Sequence, residues 1–175
     1  QSGVLGVSVM PVDPAEVIMP ALDELSLGPA DVEIDLGTDV PEMVADPALL
    51  QRVVVNLLSN ALRYEPAGGR VRLATSSFAD RVEIRVIDHG PGIPEDRRDD
   101  VMVPFQRLGD ADSTVGLGLG LALSKGFVEG MDGTLALEDT PGGGLTMVIS
   151  LPRVGHAVAG HDDVDHDDIE EGSAR

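Results

Sequence analysis

The chain has 175 residues, 42% of them hydrophobic, and a formal net charge of −19, enough for one buried core with no requirement for a second one. Its 31 Asp and Glu against 12 Lys and Arg oppose binding to nucleic acid or to an anionic membrane surface, and the absence of Cys excludes disulfides and thiolate metal sites. No apolar run reaches the roughly 18 residues that span a bilayer, no signal-peptide pattern opens the chain, and the first residue is Gln1 rather than Met. A soluble cytoplasmic fragment of a longer protein is the expectation, making no membrane contact of its own.

In chain order, GVSVM up to Met10 has strand character, and Pro14 to Leu25 has helical spacing despite Pro20. VEIDLG, from Val32, reads as a second strand. Asp46 followed by Pro47 supplies an N-cap and a first-turn proline, opening a helix that runs to about Tyr64. PAGG at 66–69 ends it. RVRLATSS and RVEIRVID then alternate as two strands of a hairpin. A short helix is expected from Pro94 to about Val103, followed by the polar loop QRLGDADSTV at 106–115. VGLGLGL comes next, and Leu119, Ala122, Leu123 and Phe127 recur at helical spacing, so a helix is expected to begin inside the glycine run. TLALED and GLTMVISLP form a last hairpin across TPGGG. Antiparallel strands with about three helices predict an α+β domain over 1–154, with helices on one face of a sheet. The remaining stretch, 155–175, holds seven acidic residues and one basic one and is expected to be a disordered tail. His161 and His166 among its aspartates are assigned no chemistry.

On the helix from Pro47, Leu49, Leu50, Val53, Val54, Leu57, Leu58, Ala61 and Leu62 form an apolar face, and Arg52, Asn56, Asn60 and Arg63 form a polar stripe. Two asparagines one turn apart are mediocre helix formers. The stripe is either a plain solvent face or a pair of amide oxygens for Mg²⁺ held mostly by phosphates. Asp88 in DHGPGIP ends an apolar strand beside Gly90 and Gly92. It either closes the strand in a turn or accepts a hydrogen bond from a flat ligand that the glycines admit, and His89 reads as an exposed loop residue. Gly116, Gly118 and Gly120 alternate with leucines where glycine makes a poor strand, which points to backbone lying against negative charge with a helix N-terminus close behind. The run is neither a dinucleotide fingerprint, lacking a strand before it, nor a Walker A loop, lacking Gly-Lys-Ser/Thr.

Taken in order, NLLSNALRY, DHGPG, VPFQR and VGLGLGL resemble the N, first glycine, F and second glycine boxes of the ATP-binding domain of sensor histidine kinases. The resemblance covers about Val32 to Pro152. ADPALLQRVVVNLLSNALRY and TPGGGLTMVISLP are most similar to potassium-responsive kinases of the KdpD type. It implies a two-layer α/β sandwich, the Bergerat fold of the GHKL group, whose mixed sheet and helices hold ATP beneath a mobile lid, here roughly Gln106 to Val115. Asp88 would take the adenine amino group and Tyr64 would pack on the base. Asn60, with Asn56 nearby, would hold Mg²⁺, while Arg63 and Arg107 would reach the terminal phosphates. Gly116, Gly118 and Gly120 would give backbone N–H groups to the phosphates, with the leucines between them anchoring the new helix to the core. Gly90, Gly92, Ile93, Phe105, Leu117, Leu119 and Leu121 complete the implied ATP-contacting set, and Asn56, Arg63 and Arg107 are its catalytic candidates.

The chain departs from the family pattern at two places. The lid is short and carries Asp110 and Asp112 where relatives place a second basic residue. The His-Glu-x-x-x-Pro acceptor segment is missing, and none of His89, His156, His161 or His166 stands in such a context. The implied function is therefore phosphoryl transfer from Mg-ATP to a histidine on a dimerisation domain outside this chain, with a response regulator downstream. The isolated piece is expected to be monomeric and unable to phosphorylate itself. The rivals are a water-activating ATPase clamp and a degenerate nucleotide sensor. The clamp enzymes place a glutamate four residues before the metal-binding asparagine, where this chain has Asn56.

Overall fold

A computed structural model describes residues 6–103 and 114–155, with side chains from 120 onward in the second segment. The elements run β1 (Met10–Val12), α1 (Pro14–Glu24), β2 (Val32–Leu36), β3 (Met43–Ala45), α2 (Pro47–Tyr64), β4 (Val71–Phe78), β5 (Arg81–Ile87), α3 (Glu95–Val101), α4 (Thr114–Gly130), β6 (Thr134–Asp139) and β7 (Leu145–Pro152). Five strands form a mixed sheet in the order β2-β4-β5-β7-β6, parallel only between β2 and β4, and β1 pairs with β3 in a separate antiparallel ribbon. This is an α+β sandwich, with α2 packed against the sheet and contacting both α1 and α4.

Strand alternation sets the layers. Val71 and Leu73 of β4, Val82, Ile84 and Val86 of β5, and Met147, Ile149 and Leu151 of β7 point to the helical side and are buried. Against them α2 lays Leu50, Val53, Val54, Leu57, Leu58 and Ala61, all fully buried. Truncating one of these leucines to Ala would cost about 2–5 kcal/mol. The start of α2 is fixed by Asp46, whose Oδ1 accepts from the N–H groups of Ala48 and Leu49 at 3.1 and 3.3 Å.

Several elements depart from the sequence reading. The first strand begins at Met10, where GVSVM was expected to end, because Ser8 donates its N–H to Asp46 Oδ2 at 3.0 Å instead of to a ladder. β3 was not expected: three residues carry too little alternation to show. Among the described residues there are four helices, where about three were expected, and α3 ends before the expected Val103. α4 begins at Thr114, before the glycine run rather than inside it. Its buried side chains include Leu121, Ala122, Ser124 and Val128, whereas Leu123, expected on the apolar face, is 47% exposed. The 106–113 part of the expected lid, with Arg107, Asp110 and Asp112, lies outside the described residues, as do Phe105 and the tail from His156 with His161 and His166. Among the described residues no helix is long and apolar enough to cross a membrane.

Candidate functional site

The site is assembled by the C-terminal half of α2. Its residues meet α4 at one level and the loop after β5 about one turn further on, some 6 Å along the axis. Asn56 donates its Nδ2 to Ser124 Oγ of α4 at 3.4 Å, and a Cβ on Gly120 would lie 3.7 Å from Asn60 Nδ2. Four residues forward on α2 match four residues back on α4, the register of antiparallel helices in contact. The polar stripe is thus not a plain solvent face. Arg52 and Arg63 are exposed, Asn56 is half-buried, and Asn60 is only 8% exposed, roofed by α4.

Asn60 Nδ2 has no hydrogen-bond partner among the described residues. A buried amide left this way costs about 1–3 kcal/mol, so such a group is usually explained by a ligand or water. Which end of the amide carries the oxygen is a matter of assignment at this site, and either orientation offers a polar atom towards α4. No group of three or more His, Cys, Asp or Glu that could hold a metal occurs among the described residues. With its amide turned so that the oxygen faces α4, Asn60 would offer one neutral ligand to an Mg²⁺ that brings most of its ligands as phosphate oxygens and water, with the Asn56 amide one turn away.

The glycine spacing takes on a different meaning within α4. Gly116, Gly120 and Ser124 are four residues apart, a small-residue row on one helix face, and Gly120 and Ser124 are the points at which α4 meets the asparagines of α2. The described part of α4 contains Gly116 in its first turn. Gly118 and Gly120 lie further along the same helix. The Leu117 and Leu119 side chains lie outside the described residues; Leu121 is fully buried and anchors α4.

At the other end, Asp88 follows β5 and is 2% exposed. Its Oδ1 accepts from Gly90 N at 3.0 Å and from Leu145 N at 3.1 Å, and its own N–H donates to Leu145 O at 3.0 Å. No described group donates to Oδ2. Burial raises the Asp88 carboxyl above its ordinary value of 3.8, opposed by the two backbone donors; the Glu65 carboxylate raises it further and His89 lowers it. The backbone packing here admits no side chains. A Cβ on Gly90 would come within 2.4 Å of Tyr64 O, and one on Gly144, at φ +119°, within 2.0 Å of Asp88 O. Gly92, at φ +71°, and Ile93 continue the loop, and Ile93 packs on the core. Tyr64 is half-buried against that core at the level of Gly90.

Sequence reading had missed three participants. Glu65, at the end of α2, accepts from His89 N at 2.8 Å and meets His89 Nδ1 at 3.0 Å. Ser124 holds Asn56, and the Gly144–Leu145 turn holds Asp88. The Gly116–Gly120–Ser124 row was visible as a four-residue period, hidden by the more obvious alternation; the Glu65 and Leu145 contacts are tertiary and have no local signal.

The family described as histidine kinase-, DNA gyrase B-, and HSP90-like ATPase matches residues 45–155, and the chain belongs to it. Within that family it is similar to the sensor protein KdpD of Rathayibacter rathayi, 64% identical over 152 residues that make up 87% of this chain and 18% of that protein. It is 50% identical over 120 residues to the sensor protein KdpD of Mycobacterium tuberculosis H37Rv, covering 69% of this chain and 14% of that one. The solved mycobacterial sensor histidine kinase MprB superposes with a TM-score of 0.69 at 31% identity, over 83% of this chain and 98% of that one. The chain thus spans less than a fifth of the length of these KdpD relatives.

Proposed function

We propose that this chain is the Mg-ATP-binding part of a KdpD-type sensor kinase and serves transfer of the γ-phosphoryl group to a histidine on a dimerisation domain outside it, with a response regulator as the next acceptor. The observation that carries the reading is the pairing of Asp88, with Oδ2 left for a donor, and Asn60, with a buried amide atom left without a partner. Asp88 Oδ2 accepts from the adenine amino group, and Gly90, Gly92 and Ile93 border the base with Tyr64 beside it. Asn60, seconded by Asn56, holds Mg²⁺, and the first-turn N–H groups of α4 and the guanidinium of Arg63 face the phosphates. Arg107, Phe105, Leu117 and Leu119 belong to this assignment by position in the motifs alone. Bound Mg-ATP supplies the transferable group with its charge partly neutralised. Positioning and charge balance carry most of the catalysis in phosphoryl transfer, so what this chain contributes is orientation at both ends of the nucleotide. The rival water-activating reading needs a carboxylate where Asn56 stands, and Asn56 is instead hydrogen-bonded to Ser124.

The test is titration calorimetry of native chain, Asn60→Ala and Asp88→Ala with Mg-ATP, metal-free ATP and adenosine. Loss of a charge-assisted contact worth about 1.5–3 kcal/mol weakens binding roughly ten- to a hundredfold. Asn60→Ala should do so for Mg-ATP and leave adenosine nearly unchanged, whereas Asp88→Ala should weaken both. Equal losses for adenosine and Mg-ATP in Asn60→Ala would remove the metal assignment. Fast hydrolysis of ATP by the native chain alone would favour the rival.

A further inference from the structure

The side chain of Glu65 is 6% exposed, beside a second buried carboxylate, Asp88. It also stands at the C-cap of α2, the negative end of the helix dipole. A chain needing only a helix end has cheaper residues for the position. What the carboxylate gains is a two-point grip on the loop after β5, through the backbone N–H of His89 at 2.8 Å and the ring nitrogen at 3.0 Å. The grip is directional, because His89 follows Asp88 immediately and Gly90 is pressed on the Tyr64 carbonyl, so the loop has little room to turn about that contact. Gly69 makes the space: a Cβ there would come within 2.3 Å of Glu65 Oε1.

We propose that Glu65 is a positioning residue for base discrimination, fixing the loop that carries Asp88 against the end of α2 so that the open carboxylate oxygen is aimed at an amino group on the base. The inference rests on the base-reading role of Asp88 and goes one step behind it: Glu65 touches no nucleotide. Its mark is therefore on the ratio of affinities for nucleotides that present an amino group or a carbonyl at the same place, more than on the phosphate contacts that both share.

The experiment is calorimetric titration of the native chain, Glu65→Ala and Glu65→Gln with Mg-ATP and Mg-GTP, with circular dichroism and thermal unfolding as the check on folding. The native chain is expected to favour ATP, and Glu65→Ala to shrink that preference about tenfold, the worth of one displaced hydrogen bond to a charged group. Glu65→Gln can accept from the His89 N–H with its oxygen and donate to the ring nitrogen with its amide, so it should keep the preference within about threefold. An unchanged preference in Glu65→Ala, with or without a uniform drop in both affinities, would show a merely structural tie and overturn the proposal. A Gln variant as damaged as the Ala variant would place the effect in charge rather than position and overturn it too. If Glu65→Ala does not fold, Glu65→Asp keeps the charge but falls short of His89, and a full preference in that variant has the same meaning. A native chain that binds both nucleotides equally overturns the role of Asp88 and this inference with it. A native preference untouched at Glu65 overturns this inference alone.

Discussion

At the β5 end of the site, proposed above to take the base, Asp88 has two backbone donors on one oxygen and a glycine turn pressed so closely on its carbonyl that a methyl group would come within 2.0 Å. At the α4 end, proposed to take the phosphates, Asn60 has a buried amide atom without a partner among the described residues, and Gly120 leaves an ordinary van der Waals gap of 3.7 Å. One end is fixed before any ligand arrives; the other holds an unmet polar group. Recognition of a planar base needs an acceptor already aimed, since misdirection by an ångström loses the hydrogen bond. A metal with phosphates brings its own ligands and can satisfy a polar atom that the fold leaves open.

The sharpest way to break this contrast is Gly144→Ala. The added Cβ meets the Asp88 carbonyl in a backbone conformation, φ +119°, that L side chains rarely adopt, and it should cost about 2–4 kcal/mol of stability in urea denaturation. A loss under about 1 kcal/mol would mean that the turn and the loop separate easily and that the Asp88 end is not locked. Gly120→Ala should act with the opposite sign. It adds a methyl where there is room and removes the entropy cost of a helical glycine, so stability should rise by about 0.5–1 kcal/mol in the same assay. A drop there as large as at Gly144 would erase the difference between the two ends.

The smallest expected effect is a pH dependence at Asp88. Burial raises this carboxyl above 3.8 in the folded chain, so the folded state holds its proton more tightly than the unfolded state. The stability this group contributes is complete below 3.8 and is lost as pH rises through the raised folded value. Asp88→Asn cannot ionise and keeps an acceptor for the Gly90 and Leu145 N–H groups. Its stability relative to the native chain should therefore increase across that interval, read as the difference between urea midpoints at a series of pH values. A flat difference would mean that Asp88 is as easily ionised in the folded chain as in water.

Much of this was legible in the sequence because the decisive signals are local. Asp46-Pro47 marks the start of α2 with a cap and a proline that need no tertiary context, and the β4–β5 and β6–β7 hairpins show as alternation around turn residues. The order of the four motifs is what singled out Asp88 and the asparagine pair. The misreadings have physical causes. Val7 and Val9 have strand propensity, but their segment is held by the Ser8 contact to Asp46 rather than by a partner strand. The glycine run displays two periods at once, and only packing on α2 decides that the four-residue one sets the interface. Glu65 stayed unnoticed because an acid at a helix C-terminus carries no meaning until the loop it grips, 24 residues later, is in place.

The hydrogen bond between Asp88 and Leu145 joins residues 57 apart in the chain, and β5 finds its second neighbour only when β7 arrives. The β4–β5 hairpin and α2 can form from short-range contacts, but closing so long a loop is entropically slow and comes late in folding. If Asp88 accepts from the base as proposed, that acceptor is incomplete on any folding intermediate in which β7 has not yet docked, and a chain emerging from the ribosome cannot read a base until β7 is out. Nucleotide added during refolding would bind only the finished molecule, drawing the equilibrium towards it by mass action without guiding the earlier steps.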